Sequence, residues 1–198
     1  MFSGIVEGLE RPIKLIKKEK SIILSLPIPK GWQINLGDSI SIDGICATAQ
    51  GKTADTFTVF FMDETLKKTS LTSLSSDHRY NLERPLRLDS ILGGHMVSGH
   101  VDTTGEILKM EDIGEARIVT IGISKQFSKY LVYKGSVTVN GVSLTVVVSK
   151  PTEFTVSLIP YTLKHTNLGP LTTGEKVNIE VDMMAKYIEQ FVSPYLKK

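Results

Sequence analysis

Cysteine is almost absent from this sequence, since Cys46 is the only one among 198 residues. A single thiol excludes an intrachain disulfide framework and any zinc site built from several cysteines. Long apolar runs and a basic-then-apolar leader are absent as well, which argues against membrane-spanning and secretory segments. We therefore expect a cytoplasmic protein without a membrane partner.

A strong excess of one charge is also missing. The 23 basic and 21 acidic residues leave a formal net charge of +2. The densest basic run, Lys14 to Lys20, is interrupted by apolar residues and Glu19, so it predicts a solvated strand or hairpin and no nucleic-acid partner. With 41% apolar residues, the chain has the composition of an ordinary globular protein.

What the sequence does contain is an internal repeat. "MFSGIVEG" at residue 1 matches "HMVSGHVD" at residue 95, with Ser3 and Gly4 lying 95 positions before Ser98 and Gly99. Further on, "SISIDGICAT" matches "SVTVNGVSLT", and "ETLKKTSL" matches "YTLKHTNL", both at an offset of 97. The offset changes once, between residues 8 and 39, so the two copies should share one fold.

Each copy is rich in strand signals. Short segments such as "SIILSLPI" and "TFTVFFM" contain β-branched and aromatic residues and are separated by Gly, Pro, Asn and Asp. Regularly spaced strands of this kind predict an all-β protein made of two small barrels or sandwiches. We place the boundaries at 1–90 for the first domain, 91–182 for the second and 183–198 for a C-terminal tail.

Helices are predicted at few places. "SKQFSKYLVYKG", from Ser124 to Gly135, begins with an N-cap serine and ends with glycine, and a shorter counterpart is expected around "PKGWQINLGD". The tail from Met183 to Leu196 carries an apolar stripe at helical spacing. Such a stripe either docks on its own barrel or packs against other copies of the chain, and the sequence leaves both open.

The repeated Gly-x-[Cys/Ser]-x-Thr and Thr-Leu-Lys stretches are candidates for two matched pockets, although single serines and threonines are common in strands and turns. The copies differ at some aligned positions: Cys46 aligns with Ser143, and Ile5 aligns with His100. His95 and His100 lack the spacing and the third ligand of a metal site, so we expect none. No phosphate-binding glycine loop and no Gly-x-Ser-x-Gly motif is present.

Four motifs together carry a resemblance to a known family. "MFSGIVEG", "GGHMVSGHVD", "YKGSVTVNGVSLTV" and "LIPYTLKHTNLG" occur in this order, and the chain resembles the riboflavin synthase family over nearly its whole length. The resemblance implies two six-stranded Greek-key β-barrels and a homotrimer held by C-terminal helices. It also implies the dismutation of two 6,7-dimethyl-8-ribityllumazine molecules to riboflavin and 5-amino-6-ribitylamino-uracil, with no cofactor.

Site residues follow from the same resemblance. The catalytic candidates are His100, Ser143, Thr145, Cys46 and Asp182. The first-barrel pocket would be lined by Phe2, Gly4, Ile5, Val6, Cys46, Ala47, Thr48, Phe60, Phe61, Met62, Asp63, Glu64 and Thr65. The second-barrel pocket would be lined by Gly99, His100, Val101, Lys134, Ser143, Leu144, Thr145, Ser157, Leu158, Ile159, Pro160, Tyr161 and Thr162.

Some positions depart from the family pattern. Asn140 and Tyr161 stand where some relatives carry carboxylates, so no role that needs those carboxylates is assigned. An alternative is a non-catalytic lumazine- or flavin-binding protein of the same fold, and a plain scaffold ranks last. The family resemblance also leaves open an association with lumazine synthase.

Overall fold

The computed structural model describes residues 1–196, and the final two residues of the predicted tail, 197 and 198, lie outside the described residues. Strands are the main secondary structure of the described chain. The strands are β1 Gly8–Glu10, β2 Lys14–Lys18, β3 Ser21–Pro27, β4 Ser39–Ile42, β5 Ile45–Lys52, β6 Thr56–Met62, β7 Tyr80–Glu83, β8 Thr103–Ile113, β9 Ala116–Gly122, β10 Ser136–Val139, β11 Val142–Lys150, β12 Glu153–Leu158 and β13 Lys176–Val181. The helices are α1 Asp63–Lys68, α2 Lys125–Ser128, α3 Pro160–His165 and α4 Met183–Leu196, and Ser70–Ser73 forms a short 3₁₀ helix.

The two copies form matching antiparallel sheets, which confirms the predicted duplicated all-β fold. The second copy closes into a six-stranded barrel in the order β10-β11-β12-β9-β8-β13. In the first copy the order is β1-β7-β4-β5-β6-β3-β2, and β1 and β2 together occupy the place of the long strand β8. Pro12 lies between β1 and β2. Because proline has no N–H to donate, the strand is interrupted there and the first barrel is left open.

The pairing registers locate the change in offset between the copies. Ile22 pairs with Phe61 in the first copy, and Arg117 pairs with Leu158 in the second. The equivalent residues Ile22 and Arg117 are 95 positions apart, whereas Phe61 and Leu158 are 97 apart, so the offset changes between β3 and β6. The loop after β3 spans residues 28–38, and its counterpart after β9 spans 123–135, two residues more. The longer loop contains α2.

The helix predicted from Ser124 to Gly135 is wrong in extent, because only Lys125–Ser128 is α-helical. Beyond it the N–H of Tyr130 donates to the carbonyl of Phe127, three residues back, which is a turn and not an α-helical bond. The N–H of Lys134 donates instead to the carbonyl of Val146 in β11. The predicted counterpart around residues 29–38 forms turns and no helix.

Each barrel has its own apolar core. In the first copy Phe57, Val59 and Phe61 of β6 point inward. In the second copy Phe154, Val156 and Leu158 of β12 take the same places. Full burial of such side chains stabilises the fold by roughly 1.5–3 kcal/mol each, which explains why the apolar pattern is kept in both copies.

The barrels meet through two β-hairpin turns of the same kind. Asp43 and Gly44 join β4 to β5, and Asn140 and Gly141 join β10 to β11, all four with positive φ. Asp-Gly and Asn-Gly are the residues that such tight turns favour. A Cβ placed on Gly44 would lie 2.7 Å from the backbone nitrogen of Gly141, and the reverse distance is also 2.7 Å. The two turns therefore pack backbone against backbone.

A buried hydrogen-bond network surrounds this contact with approximate two-fold symmetry. The N–H of Asn81 donates to Asp43 Oδ1 at 2.8 Å, and the N–H of Asn178 donates to Asn140 Oδ1 at 2.7 Å. Across the interface, Asn81 Nδ2 donates to the carbonyl of Asn140 and Asn178 Nδ2 donates to the carbonyl of Asp43. Asn140 thus joins the barrels at the interface.

The network departs from this symmetry around Asp43. Asn167 Nδ2 donates to Asp43 Oδ1 at 2.7 Å, whereas its counterpart 97 positions earlier is Ser70, which contributes only its N–H to Asn178. His78 Nε2 lies 2.7 Å from Asp43 Oδ2. The one buried carboxylate of the paired turns therefore has its own set of polar partners.

Helix α4 confirms the amphipathic segment predicted from the tail. Lys186 pairs with Asp102 and Glu189 pairs with Lys129, so one side of α4 is tied to the second barrel. The apolar stripe is not buried there, since Met184, Tyr187, Ile188 and Phe191 are all more than half exposed. In the described residues, none of the helices is long and apolar enough to cross a membrane.

The paired turns give a stability prediction. Gly44→Ala should lower the free energy of unfolding by about 2–4 kcal/mol, because a Cβ at positive φ is strained and would also overlap Gly141. Gly37→Ala is the matched control, because Gly37 also has positive φ but has open space around it. Urea unfolding of both variants separates the two terms, and equal losses would contradict a close contact between the turns.

Candidate active site

Two short segments, one at the start of each copy, build the candidate sites. We call residues 3–6 the first arm and residues 98–101 the second arm. Each arm is held by a buried glutamate of its own barrel, Glu83 at the end of β7 or Glu180 in β13. Glu83 accepts hydrogen bonds from the N–H and the hydroxyl of Ser3 and from the N–H of Gly4.

The second arm repeats this geometry. Glu180 accepts from the N–H of Ser98 at 2.8 Å, from its hydroxyl at 2.6 Å and from the N–H of Gly99 at 3.0 Å. Burial raises the pKa of Glu83, while the donors of Ser3 and Gly4 oppose that shift. The same three hydrogen bonds to a glutamate occur in both copies, so this anchoring is a feature of the repeat.

Each arm then contacts the other barrel. The carbonyl of Gly4 accepts the N–H of Ser143 at 2.7 Å, and the carbonyl of Gly99 accepts the N–H of Cys46 at 2.8 Å. A Cβ on Gly4 would lie 2.6 Å from the Cβ of Ser143, and one on Gly99 would lie 2.7 Å from the Cβ of Cys46. Only glycine allows this approach, which explains the repeated Ser-Gly pair.

This crossing corrects the predicted allocation of residues between the pockets. Gly4, Ile5 and Val6 were assigned to the first-barrel pocket, but the first arm lies against Ser143 of the second barrel. Gly99, His100 and Val101 were assigned to the second-barrel pocket, but they lie beside Cys46 of the first barrel. The physical reason is that residues before the first strand of each copy leave their own barrel and extend across the interface.

The residues that directly precede the two arms pair with each other. The N–H of Phe2 donates to the carbonyl of Val97 at 2.7 Å, and the N–H of Val97 donates back at 3.0 Å. Both side chains are buried. Phe2 was predicted to line a pocket, but its side chain is fully buried, and its backbone pairs with Val97 just before the two arms begin.

The first site is an open cavity of about 250 Å³. It is lined by Ile45, Cys46, Glu64, Thr65, Lys68, Thr69, Gly99, His100 and Val101. Lys68 bonds Glu64 at 2.8 Å and holds the pKa of that carboxyl below its usual range. The structure therefore brings together a thiol, an imidazole and an ion pair from three different parts of the chain.

The sheet opens beside both sites. Pairing of β5 with β6 begins at Ala49 and Val59, and pairing of β11 with β12 begins at Val146 and Val156. Within the described residues, positions 46–48 and 143–145 therefore have no ladder partner on that side. The N–H groups of Cys46 and Ser143 bond the arms there, and the other backbone groups that face the gap are available to hydrogen-bond a ligand.

Strand alternation divides the predicted pocket residues into two groups. Cys46 and Thr48 of β5 point out of the first core, as Ser143 and Thr145 of β11 point out of the second. Their neighbours Ala47, Phe61, Leu144 and Leu158 are core residues that are at least nine-tenths buried. The side chains of these four face the barrel cores and not the two sites, because successive residues of a strand point to opposite faces.

Large apolar side chains stand exposed around both sites. They are Phe60 and Met62 on β6, and Ile159 and Tyr161 at the start of α3. The ring of Tyr161 stacks on His165 with centroids 4.0 Å apart. Asp63 and Thr65 on α1 and Ser157, Pro160 and Thr162 on β12 and α3 complete the predicted set on the same two edges.

The second site contains a histidine that the sequence did not single out for this role. His95 Nδ1 lies 2.7 Å from Ser143 Oγ, and His95 Nε2 lies 3.3 Å from Thr138 Oγ1. Burial lowers the pKa of His95, although the carboxylates of Asp182 and Glu180 act in the opposite direction. A neutral imidazole beside a serine hydroxyl can accept a proton.

His95 was considered only as a metal ligand together with His100, and the structure places the two histidines at different sites. The signal that could have identified it is the pair of glycines before it. A Cβ on Gly94 would lie 2.8 Å from Ser143 Oγ, so the linker can pass close to the serine only without a side chain at that position.

Two further candidates lie at the edge of the second site. Asp182 Oδ1 accepts the N–H of Met184 and so caps α4, which gives this carboxylate a structural contact besides its influence on His95. Lys134 has a positive φ and bonds the carbonyl of Val146, which places its backbone next to Thr145. Its ammonium lies 5.5 Å from the ring of Tyr133.

Comparison with known proteins agrees with the duplicated fold. The family model "Lumazine binding domain" matches residues 3–85 and again 98–182. The riboflavin synthases of Actinobacillus pleuropneumoniae and Bacillus subtilis are 40% and 41% identical to the chain, over 97% of it and 90% of each relative. That of Mycobacterium tuberculosis is 44% identical over 97% of the chain and 98% of the relative.

Solved structures show the same fold at lower identity. LumP complexed with riboflavin has a TM-score of 0.85 at 22% identity, covering 92% of this chain and 100% of that one. LumP complexed with 6,7-dimethyl-8-(1'-D-ribityl) lumazine has a TM-score of 0.82 at 23% identity, covering 91% and 99%. By its duplicated domain and its full-length relatives, the chain belongs to the riboflavin synthase family.

Proposed function

We propose that the protein is a riboflavin synthase, which transfers a four-carbon unit between two molecules of 6,7-dimethyl-8-ribityllumazine. One molecule becomes riboflavin, and the other becomes 5-amino-6-ribitylamino-uracil. The two products together contain all the atoms of the two substrates, so no cofactor or co-reactant is needed. The observation that carries the proposal is the identity of 40% or more to full-length riboflavin synthases, together with two equivalent sites in one chain.

The geometry of the sites suits a planar, polar heterocycle. At positions 46–48 and 143–145, the backbone groups that face the gap, apart from the N–H groups of Cys46 and Ser143, offer donors and acceptors to the edge of a ring. Thr48 lies on the same face of β5 as Cys46, and Thr145 lies on the same face of β11 as Ser143. Exposed apolar side chains such as Phe60 and Ile159 can cover the ring face.

The reaction needs a proton to leave the acidic C7 methyl group of one lumazine and a nucleophile to add to the other. We assign Ser143 and His95 to this chemistry at the second site, since they already share a hydrogen bond. At the first site, Cys46 and His100 remain the predicted participants, with Thr48 as a hydrogen-bond partner. Holding two rings in register can contribute an effective molarity of about 10⁵ M or more.

The competing function is non-catalytic binding of a lumazine or flavin. LumP has the same fold and its structures contain such ligands, but it is only 22–23% identical to this chain. The 35–44% identity to riboflavin synthases and the reactive groups present at both sites favour the enzyme. A plain scaffold would not explain why both ladders open at the same place.

We also propose a homotrimer in which the first site of one chain faces the second site of its neighbour. The exposed apolar face of α4 supports association through this helix, because such a stripe is unfavourable in water. Association with lumazine synthase and a location in the cytoplasm stay predictions, as do the boundaries at residues 90 and 182.

The reaction itself is directly testable. Purified protein incubated with 6,7-dimethyl-8-ribityllumazine alone should form riboflavin and the uracil product in equal amounts, well above the uncatalysed rate. Absorbance and product chromatography measure both products. Tight ligand binding without turnover would contradict the proposal and favour the binding protein.

The protonation of His95 gives a pH prediction. Because burial lowers its pKa, His95 stays neutral at pH 7, and kcat should fall only at a pH below the ordinary histidine value of about 6.5. His95→Gln should lower kcat by roughly 10²-fold or more and remove this acidic limb from the pH profile. An unchanged profile would exclude His95 as a proton acceptor.

Sites shared between neighbouring chains can be tested by mixing variants. Thr48→Arg should block the first site and Thr145→Arg the second, and both residues are exposed, so folding should be retained. Each variant alone should be almost inactive, because an arginine fills the space needed by the ring. After subunit exchange, an equimolar mixture should recover about one quarter of the wild-type activity by random pairing. A mixture that stays inactive would mean that both halves of a site come from one chain.

A further inference from the structure

We propose that Glu83 and Glu180 are positioning residues that act crosswise: each sets the geometry of the site on the opposite barrel through its arm. Glu180 of the second barrel would control the Cys46 site, and Glu83 of the first barrel would control the Ser143 site. The assignment rests on the proposed function for the meaning of these sites, but its geometry and its test do not require turnover.

The anchors are strong because each carboxylate is buried and has several donors. Glu83 is 4% exposed and Glu180 is 3% exposed. Each accepts an N–H and a hydroxyl from the serine of its arm on one oxygen and the N–H of the following glycine on the other. Hydrogen bonds to a charged acceptor are stronger than those to a neutral one, so loss of the charge should free the arm.

The glycine of each arm is bonded directly to the opposite barrel. The carbonyl of Gly99 is fixed on the N–H of Cys46, and the carbonyl of Gly4 is fixed on the N–H of Ser143. The hydroxyls of Ser3 and Ser98 also accept the N–H groups of Ile5 and His100, at 3.3 and 3.2 Å. Each arm is therefore a tight turn that links the position of its glutamate to the position of Ser143 or Cys46 on the opposite barrel.

The thiol of Cys46 makes the crosswise effect measurable, because it is the only cysteine in the chain and lines the first site. Its rate of alkylation by iodoacetamide reports how closely the second arm covers it. Glu180→Gln should raise this rate by about tenfold, since the arm is released. Glu83→Gln should leave the rate unchanged, although Glu83 belongs to the same barrel as Cys46.

Moving the reporter to the second site should reverse the pattern. In a Cys46→Ser, Ser143→Cys background, the single thiol lies under the first arm. Glu83→Gln should now raise the alkylation rate by a similar factor, and Glu180→Gln should not. Protection by added riboflavin should weaken in the same two combinations, which a general loss of stability would not produce.

Controls separate positioning from folding. Glu7→Gln is the matched variant, because Glu7 follows the first arm but is exposed and pairs with Arg84 on the surface. It should leave both rates unchanged. If the glutamine variants fail to fold, Ser3→Ala and Ser98→Ala remove one donor from each arm and should show the same crosswise pattern with a smaller increase. A change confined to the reporter on the same barrel, or equal changes at both, would overturn the assignment.

Discussion

The backbone contact between the turns at Asp43–Gly44 and Asn140–Gly141 is the constraint on which the rest of the molecule depends. It fixes the two barrels with approximate two-fold symmetry, because the same bonds run in both directions between asparagine side chains and turn carbonyls. Buried polar groups are costly unless they are satisfied, so this network specifies one relative orientation of the barrels. The arms can reach the opposite barrel only because that orientation is fixed.

The two symmetric barrels carry different reactive groups. The same strand position holds a thiol in the first copy and a hydroxyl in the second, and the hydroxyl has an imidazole partner in His95. Duplication therefore supplies two similar places for two identical substrate molecules, while single substitutions make the places different. In the reaction, one molecule gives up a four-carbon unit and the other accepts it. The two sites therefore need different groups.

Much of the fold was predictable because it depends on local pattern. Alternating apolar residues, Asp-Gly and Asn-Gly turns and the repeat itself indicate paired antiparallel barrels, and the spacing of Met184, Tyr187, Ile188 and Phe191 indicates α4. The helix from Ser124 to Gly135 was predicted too long, since the bond from Lys134 to Val146 competes with helix formation. The open edge of the first barrel at Pro12 follows from the missing N–H of proline.

The identity of the site residues could be read from the chain, whereas their grouping could not. Cys46, Ser143, Thr48 and Thr145 are visible in the repeated motif, and strand alternation places them on one face. That the arm of each copy serves the opposite barrel, and that His95 reaches Ser143, follows from the packing of the two turns. The sequence by itself determined the duplicated barrels and the residue types at the sites, because these depend on side-chain periodicity and turn chemistry. Only the tertiary structure decided which residues meet, because contacts between residues far apart in the chain depend on the fixed orientation of the barrels.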